Sequence, residues 1–423
     1  MEKPGNLEPS LKTTDIEVAE ANCQTTAQNS GLYSSLYISR YAPERSPTDP
    51  HTGLPRYLSK HTLMSGMWGK HKNPDSDLWS ACRHIFEIEP TWRGWPHAMK
   101  LIFRFFDKHR KPDFILCGVD EFSLSLGIAA GIRSGSPVFS VIEDPPFTAR
   151  YKSTDSRWRK LEKRFRVLML KLLISRCKGI FCFIEQDVLN EFRPFKTGIF
   201  QMMNGVSSRA LEIGKAVRPR QDEYDLIVGF IGAVDLSQGI DVLIKIFIQA
   251  RKRLPDLRLR LIGPVSADYA PLLDAELQRS QLQGAVEITG WLPYEKMMEK
   301  LRDCFVGVYC NPSTDWYIHA QPLKICEYLG LSKPSVAWDY PGVRRLLDGG
   351  RLGILVPAGN IEAFSDGLVQ LADLSIRKQK VTEIQTSVAE RWSSDFWYQS
   401  LIDQAIFLSE KKSDPDHSDL TDS

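Results

Sequence analysis

From about residue 112 onward, short β-rich apolar runs alternate with longer stretches of helical period: DFILCGV at 113–119, SPVFSVI at 136–142, GIFCFI at 179–184 and IFQMM at 199–203. That alternation is the sequence form of βαβ units, a parallel sheet covered on both faces. Upstream, SSLYISRYA at 34–42 reads as a first strand, while the rest of 31–111 mixes prolines, tryptophans and glycines without a clean period and predicts no elements. A polar stretch, RPRQDEYD at 218–225, has linker composition. After it a second series begins: LIVGFIGAV (226–234), a helix over 239–253, LRLRLIGPV (257–265), a helix near 267–282, VEITGWL (286–292), a short helix over 294–302, FVGVYCNPS (305–313), a helix from 322, PSVAWDY (334–340) and GILVPA (353–358). Six strands alternating with helices predict a second doubly wound sheet. The expected fold class is therefore α/β, with two Rossmann-like halves at 31–217 and 218–391 and a ligand cleft outside the carboxyl ends of their sheets.

Length agrees with two units, because 423 residues exceed the about 250–300 at which a single core stops growing. Composition is that of a globular protein, 43% hydrophobic and 25% charged. With 54 basic against 52 acidic residues the formal charge is only +2, so net charge names no partner. Residues 1–30 are polar and lack the apolar run of a signal peptide; they and the tail 410–423 read as disordered, and the chain is expected to be cytoplasmic. VLMLKLLI at 167–174 is broken by Lys171 and far shorter than the roughly 20 residues that span a bilayer, so no transmembrane helix is expected. The eight cysteines form no CxxC pair and lie mostly in apolar segments, which predicts reduced core residues and no metal site.

Three segments carry candidate chemistry. In QPLKICEYLG (321–330), Pro322 at a first helical turn would leave the amides within residues 321–324 free at a helix N-terminus, those of Gln321, Leu323 and Lys324 since Pro322 itself has no N–H, a ready anion site to which the Lys324 side chain adds charge. Glu327 follows at i, i+3, placed for a sugar hydroxyl; the alternative is an exposed Lys324–Glu327 pair worth about 0.2–0.5 kcal/mol. In VIEDPPF (141–147), Glu143 and Asp144 end a strand at the sheet's carboxyl edge, where a carboxylate could orient or deprotonate an acceptor hydroxyl, or Asp144 could simply cap the turn before two prolines. Asp120, at the end of an earlier strand, reads as a helix N-cap. Finally, 157–178 carries nine basic residues against one acid, Glu162, with Trp158, Leu161, Phe165, Leu168, Met169 and Leu172 on one stripe. That stripe is expected to face the core, with the charges solvated; a basic amphipathic helix with Trp and Phe also fits an anionic membrane. No nucleic-acid-binding module accompanies the charge.

In this context EYLGLSKPSVAW (327–338), GFIGAVDLSQGIDVLI (229–244), PDLRLRLIG (255–263), TGWLPYEKM (289–297) and Asn204-Gly205-Val206 resemble, in order, segments of the GT-B glycosyltransferases, in particular those similar to glycosyltransferase family 4. The resemblance covers about 179–395. It implies the GT-B fold, a nucleoside-diphosphate-sugar donor, a glycan or lipid-linked acceptor hydroxyl as in polysaccharide biosynthesis, retention of anomeric configuration, and no metal or other cofactor. By the same resemblance Glu327 holds the donor ribose, the amides near Pro322 and Leu323 with Lys324 hold the diphosphate, and the loop at Gly232 and Ala233 approaches the phosphates. It also implies that 392–409 crosses back to brace the first half. Departures stand out: His319 occupies the place of the family's sugar-contacting glutamate, Asp235 and Gln238 occupy a loop that often carries Arg and Lys, and Glu143 stands about where a histidine is frequent. His319 with Glu143 would suit a sugar-nucleotide epimerase of the same architecture. His319 and Gln238 would also suit a degenerate GT-B binding protein.

Overall fold

The computed structural model describes residues 33–39, 50–69, 76–89, 91, 93–143, 156–184, 198–216, 225–390 and 392–410. Asp144, residues 1–30 and nearly all of the 410–423 tail therefore lie outside the described residues.

Seven strands build the first sheet: β1 (Ser34–Ser39), β2 (Leu63–Gly69), β3 (His84–Ile88), β4 (Phe114–Gly118), β5 (Val138–Ile142), β6 (Gly179–Cys182) and β7 (Gly198–Gln201). Their order is β3-β2-β1-β4-β5-β6-β7, and every pairing is parallel. A parallel sheet is buried on both faces, and β1 (SSLYIS) and β5 (VFSVI) are accordingly buried throughout, their serines included. One face packs Ile38, Ile115, Ile142 and Ile180 with the flanking helices. The other packs Tyr37, Phe114, Phe139 and Phe181 with Tyr398, Leu401, Ile402 and Ala405 of the last helix, Ser394–Glu410. The C-terminal segment thus returns to cover the first sheet.

The second sheet has six parallel strands, β8 (Ile227–Ile231), β9 (Arg258–Ile262), β10 (Val286–Ile288), β11 (Val306–Tyr309), β12 (Ser335–Trp338) and β13 (Ile354–Val356), in the order β10-β9-β8-β11-β12-β13. Strand order reverses between β8 and β11, which makes their carboxyl ends the topological switch point at which open α/β sheets take ligands. The first sheet reverses likewise between β1 and β4.

Between the two sheets the chain is fastened at one seam. Gly205 lies against the returning backbone so closely that a Cβ would sit 2.3 Å from Ser394 N. Val206 N donates to Trp392 O at 2.6 Å, and Ser394 N to Val206 O at 2.9 Å. Only glycine admits that approach.

One expectation is overturned. On the helix Arg157–Ile174 the apolar stripe faces outward: Trp158 is 82% exposed, Phe165 62%, and Leu161, Leu168 and Leu172 over half. The buried residues are Leu170 and Ile174 on the opposite side, joined by partly buried Val167 and Leu173. Arg166 sits on the inward side and is drawn there by Glu121, with Nε–Oε1 at 2.8 Å and Nη2–Oε2 at 3.2 Å.

Candidate donor site

The site grows from three loops at the carboxyl edge of β8 and β11. After β8 the chain turns at Gly232 (φ +126°), a conformation that excludes most side chains. Its loop is pinned from beside: Gly232 N donates to Ile262 O at 3.0 Å, and Val234 N to Pro264 O at 2.8 Å. Gly263 approaches so closely that a Cβ would stand 1.9 Å from Gly232 O. Ala233 is exposed beside it.

Lys324 fills the space this glycine leaves, since a Cβ at 232 would lie 2.7 Å from Lys324 Cε and 2.8 Å from its Nζ. Its ammonium stands 4.3 Å from the centre of the Phe230 ring, within cation–π range, and donates to Gln238 Oε1 at 2.6 Å. Gln238 is itself held: Oε1 also accepts from Asn311 Nδ2 at 3.1 Å, and Nε2 donates to Tyr317 OH at 2.7 Å. Its backbone is set by Asp235, whose Oδ1 accepts from Gln238 N at 3.1 Å and from Ser237 Oγ at 2.6 Å. Burial lowers the Lys324 pKa to about 8, with Cys310, Glu327 and Asp235 pulling the other way. Taking an ammonium out of water disfavours its charged form, and an arriving anion would restore it.

The helix Leu323–Gly330 begins one residue later than Pro322 was expected to place it: Pro322 is the N-cap, extended at φ −72° and ψ 122°, rather than the first helical residue. The reason lies in Pro322 O, which accepts from Ile325 N at 3.1 Å in the way an N-cap carbonyl does. The first-turn amides still point out of the helix, as any helix start leaves them. The reading of Lys324 and Glu327 as an exposed surface pair falls, because Glu327 is only 7% exposed and Lys324 is half-buried against Phe230 and Gln238. The helix is seated by Tyr328, whose ring covers Gly307 and whose hydroxyl donates to Val308 O at 3.1 Å.

Gln321 does something the sequence did not suggest. Its side chain is buried and spent on the seam: Oε1 accepts from Asn204 N at 2.9 Å, and Nε2 donates to Met202 O at 3.1 Å. In return Asn204 Nδ2 donates to Gln321 O at 2.7 Å, and Cys326 Sγ lies 3.4 Å from Asn204 O. Gln321 therefore positions the site through its backbone and ties it to the chain leaving β7.

His319 closes the short helix Asp315–His319 and is half-buried at the same sheet edge as Lys324. Glu143 stands half-buried just past β5, at the carboxyl edge of the first sheet. Asp120 is the N-cap it was expected to be: Oδ1 accepts from Phe122 N and Ser123 N, both at 3.0 Å. The Gln238–Asn311–Tyr317 cluster was missed; the available signal was a polar Asn ending the apolar run VYCN at a switch-point strand. Among the described residues no group of three or more His, Cys, Asp or Glu could hold a metal ion.

Two parallel α/β sheets, a C-terminal helix that returns to the first, and a strand-order reversal in the second give the chain the architecture of the GT-B fold. Residues 225–373 match the family described as glycosyl transferases group 1, so the resemblance drawn from EYLGLSKPSVAW and its companions is borne out. Over 176 residues the chain is 24% identical to a putative colanic acid biosynthesis glycosyltransferase, WcaL, of Salmonella typhimurium, covering 41% of this chain and 42% of the relative. Over 204 residues it is 26% identical to a phosphatidyl-myo-inositol mannosyltransferase of Mycobacterium leprae, covering 45% and 51%. The matches thus span about half the length of these relatives. The Anabaena protein HepE, solved in complex with UDP, superposes with a TM-score of 0.67 at 15% identity over 88% of this chain and 99% of its own; that likeness concerns the fold.

Proposed function

We propose that the protein transfers a sugar from a nucleoside-diphosphate donor to a hydroxyl of a glycan or lipid-linked acceptor, with retention at the anomeric carbon. The observation that carries this reading is the setting of Lys324, an ammonium half-buried beside a helix N-terminus, over Phe230 and against a glycine turn at the β8/β11 switch point. HepE, which shares the fold, was solved with UDP and with UDP-glucose, which supports a nucleoside-diphosphate sugar here.

The roles follow from the chemistry. As the glycosidic bond to the diphosphate breaks, negative charge grows on the leaving group, and Lys324 with the first-turn amides stabilises it without reorganising. Glu327, buried one turn on, accepts from the donor ribose. Gly232 and Ala233 let the backbone come close to phosphate. Glu143 and His319 are assigned to the acceptor hydroxyl and the transferred sugar. The reading invokes no metal or other cofactor.

For the acceptor, the outward stripe on Arg157–Ile174 favours a lipid-linked molecule at an anionic membrane surface. Trp158, Leu161, Phe165, Leu168 and Leu172 are exposed in a segment with nine cations and one acid. Apolar side chains ringed by lysine and arginine suit the interface of an anionic bilayer. Among the described residues no helix is long and apolar enough to cross a membrane.

Nucleotide release measured with and without an acceptor tests the reaction. Release only in the presence of acceptor is the expected result. Release without acceptor would instead fit the epimerase type, and donor binding with no turnover would fit the degenerate one.

A further inference from the structure

Gln238 lies at the end of the 3₁₀ turn Leu236–Gln238 and joins three segments that are far apart in sequence. Its carbonyl receives two donors, Lys324 Nζ and Asn311 Nδ2, and its amide nitrogen is spent on Tyr317 OH. The orientation of the amide is chemically forced. Reversing it would set an NH₂ group against an ammonium and against a second NH₂. The lysine is fixed in turn: the Phe230 ring lies at 4.3 Å, Gly232 leaves its stem room, and the Gln238 carbonyl takes one of its three protons.

We infer that Gln238 is a positioning residue for the donor diphosphate: it holds the Lys324 ammonium in one orientation, with its remaining protons available to the anion. This rests on the proposed donor site and names how that site uses Lys324, the cation the described residues place against the turn. A free lysine side chain loses up to about 2 kcal/mol of rotamer freedom when it is fixed in place. Here the fold has already fixed it. Asn311 backs the arrangement from a site only 1% exposed, with its own backbone carbonyl accepting from Tyr340 OH at 3.0 Å.

Binding of UDP, GDP and ADP to the full-length protein, measured by calorimetry from pH 6.5 to 9.5, tests this with Gln238→Ala and the isosteric Gln238→Glu. The groups acting on the Lys324 charge are Asp235 and Glu327, with the Cys310 thiol, and both variants keep all three. For wild type, affinity should fall as pH rises through about 8. Gln238→Ala should bind the preferred nucleotide about tenfold more weakly, ~1.4 kcal/mol, and, although it melts somewhat lower because the buried Asn311 amide loses its acceptor, it should remain folded at the assay temperature. Losing a hydrogen bond that favours the ammonium should also move its pH midpoint down. Gln238→Glu should move that midpoint up, while its carboxylate competes with the phosphates and weakens binding near neutral pH. A Gln238→Ala protein with wild-type affinity and an unmoved midpoint overturns the inference but leaves the donor site standing. A wild type that binds none of the three nucleotides overturns both.

Discussion

Replacing Lys324 with methionine should stabilise the protein while disabling it. The ammonium is held by the fold at a pKa near 8 instead of the ordinary 10.5, chiefly through burial. At about 1.36 kcal/mol per tenfold change in proton affinity, keeping it charged costs the folded state about 3 kcal/mol. The sign follows from linkage: where a folded pKa lies below the unfolded one, the unfolded chain binds more protons and stability rises with pH. The burden is complete below about pH 8, fades between about 8 and 10.5, and is gone above that. Methionine keeps most of the stem's volume against Phe230 and carries no charge, and Gln238 Oε1 retains Asn311 as a donor. Urea unfolding should therefore show Lys324→Met more stable than wild type at pH 7 by about 1–3 kcal/mol, with the gap closing toward pH 10.5. Lys333, also lowered by burial, to about 7, is present in both proteins and cancels in the difference. Nucleotide affinity should drop at least tenfold, since a charge-assisted hydrogen bond is worth about 1.5–3 kcal/mol. A methionine variant less stable than wild type at pH 7, or a gap that ignores pH, would refute the reasoning.

Three further outcomes are expected. Co-sedimentation should show binding to phosphatidylglycerol vesicles, not to phosphatidylcholine alone, and weakening with salt; Trp158→Glu with Phe165→Glu should abolish it without lowering the melting temperature, whereas unchanged binding would remove the membrane reading. Gln321→Leu should cost about 2–4 kcal/mol in urea unfolding, because it strands Asn204 N and Met202 O at the buried seam, and a loss below about 0.5 kcal/mol would show that the clasp carries little. Gly263→Ala would drive a methyl into Gly232 O, so both stability and nucleotide affinity should fall together in paired melting and calorimetric measurements; an alanine variant equal to wild type in both would contradict the tight pinning of the turn.

The second sheet was legible almost strand by strand because its central strands are buried on both faces and its segments are bounded by glycine, proline or asparagine. IVGFI, RLRLI and VGVY could hardly be anything else. In the first half, β2 and β3 escaped because LMSGMWG carries two glycines and HIFEI is half-exposed, so neither shows an apolar run or clean alternation. The Arg157–Ile174 stripe was visible but its direction was not. Helical period reports that apolar residues share a face, and only packing decides which face meets the sheet. At the site, the helix start, Lys324 and Glu327 follow from local rules, while the partners of Gln238 are 73 to 86 residues away and no local rule could pair them.

The central claim is that Glu327 and Lys324 hold a nucleoside-diphosphate sugar at the β8/β11 switch point. Calorimetry of wild type and Glu327→Ala against UDP, GDP, ADP and their common sugar conjugates tests it most directly. One nucleotide should bind wild type and lose about 1.5–3 kcal/mol in the variant. Equal binding by both proteins, or by neither, would contradict it.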